Sequence, residues 1–232
     1  MALTKSRSLF SVGEPVWQRG PETLGSRLFF YCSEPHQRLP TLFDYSAALS
    51  QVIADIAESC PEFAHIHPRQ VWVAIAQCRT SGVHGTYASV LPLRFENGAR
   101  ETTHRGIRVT RQPLFDGEHE ILYIITFYLP RFCDLSFDQK LKTIFHELYH
   151  INPDFNGDVR RLTGGKYAHG SSRKAYDKRI EPSVQSYLET RRRDAELLEF
   201  LHFNFAALVE AKGRVVGRRV NRRRAGRTAA PP

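Results

Sequence analysis

Residues 136 to 150, Ser-Phe-Asp-Gln-Lys-Leu-Lys-Thr-Ile-Phe-His-Glu-Leu-Tyr-His, constrain the fold more than any other stretch of this chain. Ser136 and Gln139 have the spacing of a capping box, in which the hydroxyl takes an orphan backbone N–H and the amide reaches back to the cap. Phe137, Leu141, Ile144, Phe145 and Leu148 then recur at helical spacing, which predicts a helix with one face against a core. Pro153 stops it soon after His150, because the residue before a proline avoids the α region.

Residues four apart on a helix share a face, so His146 and His150 aim their imidazoles at one cation. Neutral imidazole is a good Zn²⁺ ligand, and Glu147, beside the first histidine, is placed to act as general base on a metal-bound water. The plainer alternative is two surface histidines flanking a helical glutamate. Catalytic zinc usually takes three protein ligands. Two candidates follow: His169 in Tyr-Ala-His-Gly, after a loop holding Gly157, Gly164 and Gly165, and Glu181 in Arg-Ile-Glu-Pro. Asn156 stands six residues past His150, where a metzincin has its third histidine, so that subclass is excluded.

The surrounding pattern predicts an α+β domain. Asp44 to Ser59 is amphipathic, with Leu49, Val52, Ile53 and Ile56 on one face and Pro61 closing it. Val71 to Ala76 is a buried strand. Thr86 to Phe95 is a second, which Pro92 demotes to an edge position. Arg105 to Gln112 reads as a short, half-exposed strand, and Glu120 to Leu129 is the strongest, apolar on both faces. A long helical stretch is expected from Ser183 to Glu210, with Arg191 to Arg193 on its wet face. The predicted organisation is an N-terminal extension over 1–40, a domain over 41–210 and a disordered basic tail over 211–232. The domain would carry the motif helix on one face of a mixed or antiparallel sheet and end in C-terminal helices.

The motif helix, a loop and then His-Gly opening another helix resemble the SprT-like metalloproteases. The fuller string His-Glu-Leu-Tyr-His-Ile-Asn-Pro-Asp-Phe-Asn-Gly-Asp-Val-Arg, then Ala-His-Gly, is more similar to the HExxH metallopeptidases found in phages and bacterial genomes. The resemblance spans roughly residues 41 to 182, and its specific part lies within 145 to 170. It implies a small zincin-like fold, one catalytic Zn²⁺ held by His146, His150 and His169, and Glu147 as the base. It also implies a peptide or protein substrate, and phage or prophage origin. The zinc ribbon often carried by SprT-like proteins has no counterpart, because the chain has no CxxC pair.

Charge and cysteine usage bear on the partners. The net charge is +9, and from residue 211 onward Lys212, Arg214, Arg218, Arg219, Arg222, Arg223, Arg224 and Arg227 supply eight of those charges with no acid among them. Such an arm neutralises phosphates without sequence preference, so Arg218, Arg219, Arg222, Arg223 and Arg224 are candidate nucleic-acid contacts; a solubilising tail or a docking segment is the alternative. No aromatic follows Phe205, so the arm has no base-stacking platform. Cys32, Cys60, Cys78 and Cys133 form no metal-binding pair. With no apolar leader and no apolar run of membrane-spanning length, a cytoplasmic protein with reduced thiols is expected.

The expected chemistry is hydrolysis of a peptide bond. Zinc lowers the pKa of its water and polarises the carbonyl, and Glu147 moves the proton to the leaving amine. Tyr167, Arg173 and Tyr176 are candidate oxyanion donors. Asp154 or Asp158 would orient a ligand imidazole, or merely cap the loop. An extended substrate would add to the edge strand near Ser89 to Leu91. The rival readings are a protease held on nucleic acid by its basic arm and a non-catalytic module that zinc fastens together.

Overall fold

The computed structural model describes residues 16–19, 27–32, 41–78, 85–162, 166–167, 173–192, 195–220 and 228–229, with the backbone alone at 16–19, 27–32, 162, 166–167, 173–177 and 228–229. Strands β1 (Val16–Arg19), β2 (Arg27–Cys32) and β3 (Leu42–Asp44) precede helix α1 (Tyr45–Ser59). Next come β4 (Val71–Gln77), β5 (Ala88–Pro92), β6 (Glu101–His104) and β7 (Ile107–Thr110). A small hairpin, β8 (Leu114–Asp116) and β9 (His119–Ile121), leads into β10 (Tyr123–Leu129) and the motif helix α2 (Phe137–Tyr149). The ribbon β11 (Arg161–Leu162) and β12 (Lys166–Tyr167) is followed by α3 (Arg173–Arg191), a 3₁₀ segment at Glu196–His202 and α4 (Phe205–Lys212). The chain closes with β13 (Arg214–Arg219) and β14 (Thr228–Ala229). The architecture is α+β, with small mixed and antiparallel sheets.

The central sheet has the order β4-β10-β5, with β10 parallel to β4 and antiparallel to β5. The apolar run Tyr123–Leu129 takes the middle because both of its faces are covered. Val71, Val73, Ile75, Ala88, Tyr123, Ile125, Phe127 and Leu129 turn to the main core beneath the helices. Trp72, Ala74, Leu93 and Ile124 turn to a smaller core on the other face, closed by Leu114 and Val220. Pro92 sits at the end of edge strand β5, the position its missing N–H permits.

Helices α1 and α2 are both capped, α2 by the predicted capping box. Asp44 accepts from Ala47 N at 2.9 Å to open α1. Ser136 accepts from Gln139 N while Gln139 accepts from Ser136 N, a complete capping box on α2. All five stripe residues of α2 are buried. So is Lys140, whose Nζ donates to the carbonyls of Leu201 at 2.9 Å and Phe203 at 2.6 Å and thereby ties α2 to the 3₁₀ segment. Burial lowers the proton affinity of this amine, and those carbonyls provide the partners a buried ammonium needs.

Two expectations need correction. The helix placed at 183–210 is two: α3 begins earlier, carries Pro182 inside it, and ends where Arg192 adopts a left-handed φ of 57°. Asn204 then caps α4, accepting from Ala207 N at 2.8 Å. Arg191 is exposed, as expected, and also pairs with Asp55 at 2.9 Å beside the Tyr187–Asp55 hydrogen bond that joins α3 to α1. The stretch from 211 is not a disordered tail as far as Arg219, for β13 lies between β2 and β3 in a sheet ordered β1-β2-β13-β3. Val215 and Val216 are buried, and Gly217 lies so close to the core that an added Cβ would sit 2.6 Å from Ile75 Cδ1. Counting charges hid two valines and a glycine that burial requires. The short, half-exposed strand read at 105–112 is present as β7, which pairs with β6 around Arg105 and Gly106, both at positive φ.

Candidate metal centre

The motif occupies the C-terminal end of α2, and His150 is its C-cap, still in the right-handed helical region at φ −70°. Helical spacing therefore holds across all three polar residues. The rings of His146 and His150 have centroids 4.8 Å apart at an interplanar angle of 78°. One ligand atom from each of His146, Glu147 and His150 lies within 4.8 Å of the others, and all three residues are buried. A buried trio of two imidazoles and a carboxylate is a donor set for a divalent cation such as zinc.

The loop after His150 is clamped to the sheet. His150 O accepts from Arg160 N at 2.7 Å, and Ile151 bridges to Val159. Arg94 N donates to Gly157 O at 2.9 Å, while Gly157 N donates to the Tyr123 hydroxyl oxygen at 2.9 Å and that hydroxyl donates to Asp158 O at 2.8 Å. Gly157 has φ +84°, and an added Cβ would meet Arg94 Cγ at 2.4 Å, so only glycine fits. Phe155 holds φ 47°, a conformation costing of order 1–3 kcal/mol in a residue with a side chain. Its ring is wedged 5.2 Å from Tyr123 and 5.0 Å from His67. Arg160 completes the clamp, lying 3.9 Å over the ring of Tyr149.

The family model described as "Putative phage metallopeptidase" matches residues 44–216, from the cap of α1 into β13. The chain belongs to that family. No curated protein and no solved structure matches it. Membership in the phage metallopeptidase family makes a metal-dependent peptidase the natural reading of the His146–Glu147–His150 cluster.

The other site expectations divide. His169 lies outside the described residues, as do the side chains of Tyr167, Arg173 and Tyr176; the backbone of Tyr167 pairs with Arg161 in the β11–β12 ribbon. Glu181 is not part of the cluster. Its carboxylate meets Lys142 Nζ at 2.9 Å, and that hydrogen bond holds its pKa below the usual carboxylate value. Asp158 serves the loop: its buried carboxylate accepts from Val159 N at 2.8 Å, Asn97 N at 3.1 Å and Arg161 Nη2 at 3.1 Å. Asp154 is exposed, with its N–H donating to Asn152 Oδ1 at 3.1 Å.

The nucleic-acid expectation for the basic segment finds no support among the described residues. The Arg218 guanidinium lies 4.5 Å over the Trp72 ring and 3.5 Å from Asp116, so it packs over the second core. Arg219 ends β13, and Arg222, Arg223 and Arg224 lie outside the described residues; nothing supports a nucleic-acid contact. No described helix is long and apolar enough to cross a membrane. Tyr123 is the residue holding the loop after the motif that sequence reading missed. A phenol at the start of an apolar strand was the available signal, since a buried tyrosine hydroxyl needs a partner.

Proposed function

We propose that the chain is a zinc-dependent peptidase in which His146, His150 and His169 hold the metal and Glu147 is the general base. The convergence of His146, Glu147 and His150 within 4.8 Å on one buried helix end carries this reading. Imidazole donors suit zinc, whereas magnesium and calcium favour all-oxygen sets. His169 is supported by its place in the chain, between the ribbon that returns beside Arg161 and helix α3, which packs along α2.

Zinc at this position would lower the pKa of a water and polarise the scissile carbonyl. Glu147 takes the proton from that water and delivers it to the departing amine. Tyr167, Arg173 or Tyr176, carried by the same segment as His169, donates to the developing oxyanion. The substrate is an extended peptide that adds to the edge of β5, beside α2. Cys60, Cys78 and Cys133 are free thiols, which fits action in the reducing cytoplasm.

Glu147→Gln tests the reading. The variant is expected to bind one zinc per chain, by elemental analysis, and to lose hydrolysis of an unfolded protein by at least about a hundredfold. Retained zinc with unaltered turnover would remove Glu147 as the base. Turnover absent from the zinc-loaded wild type would leave a module that zinc merely fastens.

A further inference from the structure

The register of β5 decides which of its main-chain groups face outward. Tyr128 N donates to Tyr87 O and Leu93 N to Leu122 O, each at 2.9 Å, with Ser89 opposite Thr126 and Leu91 opposite Ile124 between them. Inward and outward groups alternate along an antiparallel strand. Residues 87, 89, 91 and 93 therefore turn their N–H and C=O to β10, and Ala88, Val90 and Pro92 turn theirs away. Among the described residues no strand pairs with β5 on that outer side. The side chains of Ala88 and Val90 pack into the core beneath the helices, so this edge runs beside the helix bearing the metal cluster.

The cluster lies toward one end of the edge. The capping box of α2 follows the Leu129 end of β10, and the loop after His150 returns to Tyr123, which is opposite Pro92. That end is closed. Pro92 has no N–H to give, and its carbonyl accepts from Arg111 Nη1. The Arg111 guanidinium lies 4.7 Å over the Phe95 ring, and its backbone N–H donates to Arg100 O at 2.8 Å, which fixes it at the base of the β6–β7 hairpin.

We propose that Arg111 is a specificity-determining residue. By occupying the last outward carbonyl of β5, it limits a substrate strand to pairing with Ala88 and Val90. This deepens the peptidase reading above and rests on it. A bound peptide then offers its own N–H groups to β5 at two places, two residues apart, and its remaining selectivity comes from side chains.

The probe is unfolded casein. Its cut sites with the zinc-loaded wild type are mapped by mass spectrometry, and a short peptide spanning the best site is prepared with one main-chain N-methyl group at each position in turn. Wild type should lose about fivefold or more in kcat/KM at two positions, the worth of about one hydrogen bond each. Arg111→Met keeps an apolar stem against Phe95 but removes the donor. It should acquire a third sensitive position two residues further on, whereas Arg111→Lys should keep two. Should Arg111→Met fail to fold, Arg111→Leu, which also removes the donor while keeping an apolar side chain, makes the same comparison. An unchanged map in a folded Arg111→Met or Arg111→Leu variant, or three sensitive positions in wild type, overturns the proposal while leaving the peptidase reading standing. A wild type that cuts nothing removes both.

Discussion

Replacing Tyr123 by Phe tests whether the sheet holds the loop after His150 through a single oxygen. That hydroxyl donates to Asp158 O at 2.8 Å and accepts from Gly157 N at 2.9 Å, both in the buried interior. Without it Asp158 O retains Asn152 N at 3.4 Å, but the Gly157 N–H is left without its partner. An orphaned buried donor costs about 1–3 kcal/mol and the second lost bond about 1 kcal/mol more, for a total of about 2–4 kcal/mol. The ring keeps its packing on Phe155, so no cavity adds to the cost. A domain of this size should melt about 4–16 °C lower. Urea and thermal denaturation in a chelator give the value free of stabilisation by bound metal. Burial pushes the Tyr123 phenol up to about 12, so its folded value lies above the unfolded one near 10. The stability linked to this shift is therefore complete below about pH 10 and is lost as pH rises toward about 12. In Tyr123→Phe that alkaline decline should be shallower. A variant within about 0.5 kcal/mol of wild type, with the same alkaline slope, would show that the loop is not held this way.

Two further substitutions probe the corrections. Glu181→Ala breaks a pair with Lys142 in which both side chains are about two-fifths exposed, so stability should change by less than about 1 kcal/mol and zinc content not at all; loss of zinc would restore Glu181 as a ligand. Gly217→Ala places a methyl group 2.6 Å from Ile75 Cδ1 and 2.8 Å from Ser46 Oγ, which should destabilise the fold by about 1–3 kcal/mol. An unchanged melt would return 214–219 to a solvated tail.

Local signals were read correctly wherever one segment carried the whole instruction. Ser136 with Gln139, the apolar stripe of Leu49, Val52, Ile53 and Ile56, and Pro92 within a strand each state their consequence in a few residues, and each stands in the structure as expected. Errors arose where a segment's state depends on distant partners. Val215, Val216 and Gly217 among arginines look like part of a solvated arm until β2 and β3 flank them. Arg218 lies over the Trp72 ring and beside Asp116, partners that its own segment does not announce.

The sequence by itself determined the motif helix, its cap, and the shared face of His146 and His150, because hydrogen bonding and side-chain direction within a helix are set over three or four residues. Tertiary structure alone decided that Glu181 serves Lys142, that Tyr123 secures the loop after the motif, and that Arg111 closes the edge of β5. Those contacts join residues far apart in the chain. Which groups meet there depends on how sheet and helices pack, and no local spacing encodes that packing.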